Sequence, residues 1–431
     1  MLGGGNYTTQ NKILPGTYIN FISAKKTSIN LSERGTVAIA MELDFGKDEE
    51  IMKISAEDFE KNSLKLLGYE YNHNKLKGLR DLFLNATTLY LYKLNKGEKA
   101  SNKYATAKYS GIRGNDIKII IQENLDETSK FDVITMIESK KVDTQTVASS
   151  AELVNNDFVD FKTDAVLEAT AGMSLEGGTN GNAVTGENHQ AFLDKLENYS
   201  FNALGCLAKD SSISNLYVAF TKRMRNKKGV KFQTVVYNNS ADFEGIINLK
   251  NKATEDETAL IFYTVGIIAG CAINKSNTNK VYNGEYTVEA DYTQTELENA
   301  ILCGEFVYHK VGDEFRVLED INSLVTVTDE KREEFKANQT IRVLDQIATD
   351  TAIIFNNKYL GKIQNNESGR ISLWNDIVTI YKEYATMQAI ENFDSKDIEV
   401  QAGNDKKSVV ISGAVQPINS MEKLYMTVVI E

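Results

Sequence analysis

The chain has 431 residues, of which 42% are hydrophobic and 25% are charged, and its formal net charge at pH 7 is −12. This length exceeds what one hydrophobic core usually serves, so we expect two to four domains. The composition excludes a disordered chain. The acidic balance argues against a nucleic-acid-binding protein, because phosphate contacts require a dense surface of lysine and arginine.

The first 22 residues are predicted to form an N-terminal arm. A polar, glycine-rich stretch over 1–14 is followed by a break at Pro15-Gly16. The next residues are rich in β-branched and aromatic side chains, which predicts a short strand of Thr17, Tyr18, Ile19, Asn20 and Phe21. Residues 1–6 lack the basic and apolar regions of a signal peptide, so we expect the protein to be made and kept in the cytoplasm.

Two domains are predicted between this arm and residue 328. Residues 23–100 alternate short apolar runs with acidic, helix-prone stretches, which suggests a small β-rich domain. Residues 101–328 alternate strand-like runs with helical patterns, and such alternation is typical of an α/β layer architecture. A hairpin through Gly312-Asp313 is expected to close this second domain.

One uncharged segment, Thr258 to Asn274, permits two interpretations. It contains Gly266 and Gly270 at a spacing that lets transmembrane helices pack closely. It is slightly short for a membrane span, and no second candidate accompanies it. A buried core helix of the α/β domain is therefore favoured.

Residues 329–419 are predicted to form a C-terminal α+β domain. Apolar residues recur at helical spacing in Glu330 to Phe355 and again in Ser372 to Ile390, which predicts two amphipathic helices. A following hairpin, with its turn at 403–405, offers a sheet on which these helices pack. The expected buried positions are Ile341, Leu344, Ile347, Ala348, Thr351 and Ile354 in the first helix, and Leu373, Ile377, Ile380, Tyr384 and Met387 in the second.

A strand-like run over 420–431 ends the chain. It is apolar on both alternating faces and includes Leu424, Tyr425, Met426, Thr427, Val428, Val429 and Ile430. An exposed apolar strand is an aggregation hazard unless it pairs with another strand. The run is therefore expected to complete either a sheet of its own chain or the sheet of a neighbouring molecule.

No residue pattern indicates catalysis. The three histidines, His73, His189 and His309, do not stand at metal-binding spacing. The glycine-rich loop over 177–186 continues with Glu187-Asn188, where a phosphate-binding loop requires lysine and a hydroxyl residue. We therefore expect no enzyme activity, no cofactor and no metal ion.

The three cysteines, Cys206, Cys271 and Cys303, lie far apart in the sequence and form no CxxC pair. They are predicted to be small buried residues of a protein in a reducing compartment.

A series of motifs resembles a known family. The motifs are Gly3-Gly4-Gly5, Pro15-Gly16-Thr17-Tyr18-Ile19-Asn20-Phe21, Glu33-Arg34-Gly35-Thr36-Val37-Ala38, Tyr109-Ser110-Gly111-Ile112-Arg113-Gly114-Asn115-Asp116-Ile117, Leu175-Glu176-Gly177-Gly178-Thr179-Asn180-Gly181, Ala269-Gly270-Cys271-Ala272-Ile273-Asn274-Lys275-Ser276 and Gln416-Pro417-Ile418-Asn419-Ser420-Met421-Glu422-Lys423-Leu424-Tyr425. Their order and coverage resemble the contractile tail sheath proteins of bacteriophages and phage-tail-like bacteriocins, especially those of Gram-positive hosts. Asn180 stands where an aspartate is expected, which argues against a cation in that loop.

The resemblance implies an α/β and α+β multidomain fold. A central subtilisin-like α/β domain without a catalytic triad carries a small β-sandwich-like insertion and is followed by the C-terminal α+β domain. The implied function is that of a structural subunit of a contractile sheath, which polymerises as stacked, hexameric rings around a tail tube and drives that tube through a target cell envelope. The implied partners are further copies of the chain, the tail tube protein, and the baseplate and tail terminator proteins. Assembly is expected in the bacterial host cytoplasm, with release by lysis as part of a phage tail or tail-like particle.

The resemblance also implies a role for both chain ends. The arm over 1–22 and the strand over 420–431 are expected to join the C-terminal sheets of neighbouring subunits, which is a form of β-strand addition. The C-terminal domain is expected to line the tube, with Arg342, Arg370 and Lys382 either as tube contacts or as solvated helix charges. The alternative function is a lattice protein that assembles by strand exchange without contracting.

Overall fold

The computed structural model describes residues 33–430. The strands within these residues are β1 (Thr36–Met41), β2 (Ile51–Ser55), β3 (Thr88–Lys93), β4 (Ala105–Ala107), β5 (Ile117–Glu123), β6 (Phe131–Ile137), β7 (Lys140–Val147), β8 (Val159–Phe161), β9 (Thr170–Ser174), β10 (Ala203–Gly205), β11 (Gln233–Tyr237), β12 (Ile246–Leu249), β13 (Glu305–Phe306), β14 (Tyr308–Val311), β15 (Glu314–Val317), β16 (Ile390–Glu391), β17 (Ile398–Ala402), β18 (Val409–Gly413) and β19 (Gln416–Pro417). The helices are α1 (Ala56–Leu67), α2 (Lys77–Phe83), α3 (Gly186–Leu196), α4 (Ser211–Arg223), α5 (Leu260–Gly270), α6 (Gln294–Leu302), α7 (Asn338–Ile354) and α8 (Glu367–Thr386). The predicted strand of Thr17, Tyr18, Ile19, Asn20 and Phe21 lies outside the described residues.

A seven-stranded sheet in the order β13-β12-β11-β10-β1-β3-β2 forms the centre of the fold. Its strands pair in parallel except β2, which runs antiparallel to β3 at one edge. Helices cover both faces of this sheet, as parallel strands require. Val37 and Ile39 of β1 pack with α2 and α5 on one face, whereas Ala38 and Ala40 pack with α3 and α4 on the other.

This sheet crosses the domain boundary predicted at residue 100. β1, β2 and β3 share it with β10 to β13, so residues 36–93 belong to the central α/β layer and form no separate small β-rich domain. The pairing of Val37 with Ala203 joins strands that are remote in the sequence. The boundary was predicted wrongly because local sequence patterns do not reveal such a pairing.

A separate β-rich unit lies between β3 and α3. It consists of a four-stranded antiparallel sheet, β7-β6-β5-β9, and the pair β4-β8. Ile117, Ile119 and Val133 form its core together with Phe158. The predicted β-sandwich-like insertion is thus present, and its strands span residues 105–174 inside the range assigned to the α/β domain. The predicted α/β and α+β multidomain fold class is confirmed.

Tightly crossed loops join this unit to the central sheet. A Cβ added to Gly181 would lie 1.8 Å from the carbonyl oxygen of Lys96. The Asn180 side chain donates from Nδ2 to Asp44 Oδ1 at 2.8 Å and accepts from the Ile112 backbone N–H at 3.0 Å. Asn180, which stands where an aspartate was expected, therefore connects two loops through the N–H group and the oxygen of its side-chain amide.

The uncharged helix α5 is a core element, as predicted. Its residues from Leu260 to Ala269 are all buried. Gly266 and Gly270 allow it to approach the end of α2 and the segment that follows, because added Cβ atoms would lie 2.6 Å from the Leu82 carbonyl oxygen and 1.9 Å from that of Asn85. Among the described residues, no helix has the length and apolar character that crossing a membrane requires.

The C-terminal region contains α7, α8 and the predicted hairpin of β17 and β18. On α8, Leu373, Ile377, Ile380 and Tyr384 are buried as predicted, and Met387 is half-buried. The α8 side chain of Trp374 donates from Nε1 to the Ile398 carbonyl oxygen at 2.8 Å, which fastens the helix to the hairpin. A short pair of β16 and β19 closes the region.

α7 buries a different face from the one predicted. Only Ile341 of the expected apolar stripe is fully buried, while Leu344, Ile347, Ala348, Thr351 and Ile354 remain partly exposed. The buried positions include the polar residues Arg342, Asp345, Gln346 and Asp350. The prediction failed because these polar groups find partners on other elements.

Burial of the cysteines was predicted for all three residues and holds for Cys206. Cys271 is partly exposed and Cys303 is exposed. Burial raises the pKa of the Cys206 thiol to about 12, so this cysteine remains a neutral core residue near pH 7.

Candidate functional site: the C-terminal arm and its anchor

Residues 418–430, here called the C-terminal arm, leave the body of the molecule. The six apolar residues between 424 and 430 are between 71% and 93% exposed: Leu424, Tyr425, Met426, Val428, Val429 and Ile430. Within residues 33–430, Leu424 to Ile430 form no strand and pair with no other strand. Of the two sequence-based alternatives, pairing inside the chain is therefore not realised with any strand of residues 33–430.

A glutamine on the first turn of α7 anchors the start of the arm. Gln339 Nε2 donates to the Ile418 carbonyl oxygen at 3.0 Å, and its Oε1 accepts from the backbone N–H of Ser420 at 2.9 Å. The hydroxyl of Thr340 donates to Asn419 Oδ1 at 3.1 Å. These contacts occupy the polar groups of three consecutive arm residues, so the arm starts from a fixed place.

A second anchor holds the arm two residues further on. The Glu422 carboxylate accepts from the Thr278 hydroxyl at 2.7 Å and from the Ser276 hydroxyl at 3.5 Å. The apolar run begins directly after this anchor. The body therefore presents residues 424–430 to solvent from a defined origin.

The hairpin of β17 and β18 offers unpaired sheet edges. It is a two-stranded sheet, so each strand has an outer edge that no other strand covers within residues 33–430. Val410 and Ile411 on β18 are 53% and 38% exposed. Ile371 and Trp374 of α8 line a groove beside Val400 and Ala402 of β17. Open edges beside apolar side chains are suited to accept an added strand.

Arg342, predicted as a possible tube contact, is buried in the body of the molecule. Its guanidinium donates to Asp320 Oδ2 at 3.0 Å, and the two side chains are 0% and 1% exposed. Burial opposes the charge of Arg342, but the Asp320 carboxylate and the other nearby anionic groups together outweigh burial, so the pKa of Arg342 is raised. Arg342 is therefore neither exposed for a tube contact nor a solvated helix charge, and its partner Asp320 is distant in the sequence, so the sequence did not reveal this burial.

The other two predicted tube contacts lie on α8. Arg370 is half-buried and donates to Asn365 Oδ1 at 3.0 Å, whereas Lys382 is exposed. Both remain candidates for contacts with another protein.

A second buried ion pair joins α7 to the central domain. Arg225, which follows α4, makes two hydrogen bonds to Asp345, from Nη1 to Oδ2 at 2.6 Å and from Nη2 to Oδ1 at 2.8 Å. The hydroxyl of Tyr384 on α8 donates to Asp350 on α7. Burial and the Asp350 carboxylate together raise the pKa of Tyr384, so this hydroxyl stays protonated. Buried polar contacts thus connect α7, which carries the first anchor of the arm, to the central domain and to α8.

The sequence analysis assigned no individual role to Gln339, Glu422 or Arg225. Each is an ordinary polar residue whose role depends on a partner that only the fold brings near. The histidines likewise have structural partners, and His189 Nδ1 lies 2.9 Å from the Tyr217 hydroxyl. Among residues 33–430, no group of three potential metal ligands converges.

Models of known families match four consecutive segments. The Tail sheath protein Gp18 domain III N-terminal region matches residues 34–94, and the Phage tail sheath protein beta-sandwich domain matches 95–180. The Phage tail sheath protein central domain matches 182–323, and the Phage tail sheath C-terminal domain matches 330–431. The β-sandwich match coincides with the β-rich unit that separates β3 from α3.

Relatives and solved structures agree with these matches. The phage-like element PBSX protein XkdK of Bacillus subtilis is 32% identical over 471 aligned residues, which cover 99% of each chain. A sheath tail protein from Desulfitobacterium hafniense is 34% identical, with a TM-score of 0.82 over 95% of this chain and 99% of that one. The helical sheath of the anti-feeding prophage in its contracted state shares the fold at 13% identity, with a TM-score of 0.57 over 96% of this chain and 98% of that one.

These matches confirm the family resemblance stated from the sequence motifs. A tail sheath protein is a structural component of a phage tail or of a related contractile particle, which agrees with a structural role for this chain. The chain belongs to the phage tail sheath protein family.

Proposed function

We propose that this sheath subunit polymerises as stacked, hexameric rings around a tail tube and contracts to drive the tube through the envelope of a target cell. The exposed C-terminal arm is the observation that carries the proposal. An isolated subunit gains nothing from an exposed apolar run at 424–430, whereas a neighbour with an open sheet edge gains hydrogen bonds and apolar burial.

Strand donation is the proposed link between subunits, with the β17–β18 hairpin of a neighbour as the acceptor. Burial of four side chains on one face of the arm contributes about 6–12 kcal/mol, at about 1.5–3 kcal/mol each. About five backbone hydrogen bonds contribute about 2.5–7.5 kcal/mol. Ordering the strand costs about 1–2 kcal/mol per residue. The apolar face therefore decides whether the arm binds; its residues are Leu424, Met426, Val428 and Ile430.

The geometry of such a link generates a polymer from one kind of chain. An arm on one subunit and a sheet edge on the next are different surfaces, so the contact is head-to-tail. Contacts of this type close into rings or continue as helical stacks. The predicted N-terminal strand, from Thr17 to Phe21, is proposed to supply a second link to another neighbour.

Contraction is proposed to move whole subunits as rigid bodies. The buried pairs Arg225–Asp345 and Arg342–Asp320 tie α7 to the central domain, and the arm begins at a fixed anchor on the same helix. Rotation then concentrates in the short linkers of the two arms. The shorter lattice has the lower free energy, so a trigger from the baseplate suffices and no nucleotide is consumed.

The tail tube is proposed to contact the C-terminal domain, where Arg370 and Lys382 are the candidate residues. Arg342 is withdrawn from this set because its side chain is buried. Baseplate and terminator proteins are proposed to bound the polymer at its two ends. Assembly is proposed to take place in the host cytoplasm, with release by lysis in an infectious phage or a headless bacteriocin.

Negative-stain electron microscopy of the purified chain tests this proposal. We expect tubes of two kinds, long and narrow when fresh, and shorter and wider after ageing or exposure to acid. Tubes of one length and diameter under all conditions would support the non-contractile alternative. Monomers alone at high protein concentration would contradict polymerisation itself.

A further inference from the structure

A concentrated positive surface stands out on this acidic chain. Six of the ten residues from 222 to 231 are lysine or arginine and none is acidic, although the chain as a whole has a net charge of −12. Five of them are located at the end of α4 and on the following π turn, Met224–Lys228, which ends at Gly229, and Lys231 follows that glycine. Arg225 is occupied by Asp345 inside the subunit. The other five are here called the basic corner: Lys222, Arg223, Lys227, Lys228 and Lys231.

The basic corner has few anionic partners in its own subunit. Arg223 and Lys228 share one carboxylate, that of Glu197. Lys222 and Lys231 donate to backbone carbonyl oxygens, those of Ala241 at 3.0 Å and Arg225 at 3.2 Å. Lys227 is exposed and forms no ion pair among the described residues. The charges of this surface are thus only partly balanced.

A further lysine adjoins the basic corner. Lys331 pairs with Glu244, and its ammonium group lies 5.3 Å from the ring of Phe243, from which Lys222 lies 5.5 Å. Burial lowers the pKa of Lys231, and the nearby positive charges of Arg225 and Lys331 lower it further. Like charges that are crowded in this way favour a partner that brings carboxylates.

The same chain carries an unbalanced acidic surface in the C-terminal region. The segment 391–399 contains four acidic residues and a single basic one, Lys396. The acidic residues are Glu391, Asp394, Asp397 and Glu399, and all four are exposed. Asp394 and Asp397 accept from backbone N–H groups, and Glu399 accepts from the amide of Gln401. Within residues 33–430 none of the four pairs with a lysine or arginine. These four residues are here called the acidic corner.

The acidic stretch 255–257 differs because two of its carboxylates have partners within the subunit. Glu255 pairs with Lys77 and Asp256 pairs with Lys209. Of these two acidic surfaces, the acidic corner is therefore the better complement to the basic corner. A long polyanion such as nucleic acid is disfavoured as the partner, since the rest of this acidic chain repels it.

We propose that the basic corner of one subunit binds the acidic corner of a second copy of the chain. The inference rests on the proposed polymerisation and adds to it a contact that is separate from the donated strand. Two different surfaces of opposite sign form a head-to-tail contact, which extends a polymer. Exposed charges of this kind speed and orient association, and salt weakens their effect.

Charge reversal and charge exchange test the contact. The basic variant carries Lys227→Glu and Lys228→Glu, and the acidic variant carries Glu391→Lys and Glu399→Lys. The matched control is Lys140→Glu with Lys141→Glu, an adjacent exposed lysine pair in which Lys140 likewise pairs with one glutamate, Glu70. The readout is the protein concentration above which the full chain forms sedimentable tubes, at about 0.05 M and about 0.5 M salt.

Each reversal is expected to raise this concentration about tenfold at low salt and less than about threefold at high salt. The quadruple variant, which carries both charge reversals, is expected to form tubes at a concentration within about threefold of that of the unmodified chain. The control variant is expected to stay within the same range at both salt concentrations. The inference would be overturned if the basic variant raised this concentration and the acidic variant did not. It would also be overturned if the variant with both pairs exchanged kept a raised concentration. Absence of tubes from the unmodified chain would instead overturn the proposed function on which it rests.

Discussion

Gln339 and Ser420 are joined by two hydrogen bonds. The backbone N–H of Ser420 donates to Gln339 Oε1 at 2.9 Å, and the Ser420 hydroxyl donates to the same oxygen at 3.1 Å. Gln339 lies at the start of α7, the helix that buried ion pairs tie to the central domain. The relationship fixes the origin of the C-terminal arm and places its free segment after Glu422.

Replacement of Gln339 by alanine is predicted to loosen residues 418–420 while the body stays folded. The change removes three hydrogen bonds, each of which contributes about 0.5–1.5 kcal/mol net, so local opening should increase about tenfold or more. Hydrogen–deuterium exchange at the Ser420 amide measures this effect. Gln364→Ala, at an exposed glutamine between α7 and α8, serves as the control. Unchanged exchange at Ser420 would refute the anchor.

Replacement of Asp345 by alanine is predicted to lower the free energy of unfolding by about 3–5 kcal/mol, because it leaves the buried Arg225 guanidinium without its carboxylate. The midpoint of urea unfolding measures the change. The exposed pair of Lys47 and Glu50 provides a contrast, since Glu50→Ala should cost less than about 1 kcal/mol. Equal effects of the two variants would show that the buried pair has no special role.

Two glycines of one loop are predicted to differ in their tolerance of alanine. Gly177 and Gly181 have φ values of +83° and +78°, so alanine at either position costs about 1–2 kcal/mol in backbone strain. An added Cβ meets nothing within 4 Å at Gly177, but it lies 1.8 Å from the Lys96 carbonyl oxygen at Gly181. Gly181→Ala should therefore cost about 1–3 kcal/mol more than Gly177→Ala. Thermal unfolding of both variants measures this difference, and equal losses of stability would contradict the tight loop crossing.

The buried histidine of α3 is predicted to reduce stability as the pH falls. Burial lowers the pKa of His189 to about 4, whereas the unfolded chain has a histidine pKa near 6.5. Between these values the unfolded state binds the proton and the folded state does not, so stability declines from about pH 6.5 to about pH 4. This contribution amounts to about 3 kcal/mol.

His189→Gln keeps a polar side chain and removes this titration. The difference in unfolding free energy between the unmodified chain and this variant should therefore shrink or change sign over the same pH range. Parallel pH profiles for the two proteins would contradict a neutral, buried His189.

Elements with strong local patterns were predictable from the sequence, and long-range pairings were not. The apolar positions of α8 and the hairpin of β17 and β18 follow from helical and alternating periodicity, and both predictions are confirmed. The buried face of α7 was predicted wrongly, because the burial of Asp345 depends on its ion pair with Arg225, which is distant in the sequence. The domain boundary predicted at residue 100 was wrong for the same reason, since β1 pairs with β10 across it.

The arm itself was predictable, because an apolar run at 424–430 is recognisable from composition alone. Its anchor was not, since a lone glutamine on a helix carries no signal until the fold brings Ser420 to it.

Removal of residues 424–431 tests the central claim most directly, because it deletes the exposed apolar run and leaves both anchors in place. The shortened chain is predicted to remain folded, with an unchanged circular dichroism spectrum, and to sediment as a monomer that forms no tubes in the electron microscope. Tubes of normal appearance from the shortened chain would contradict the claim that this arm links neighbouring subunits.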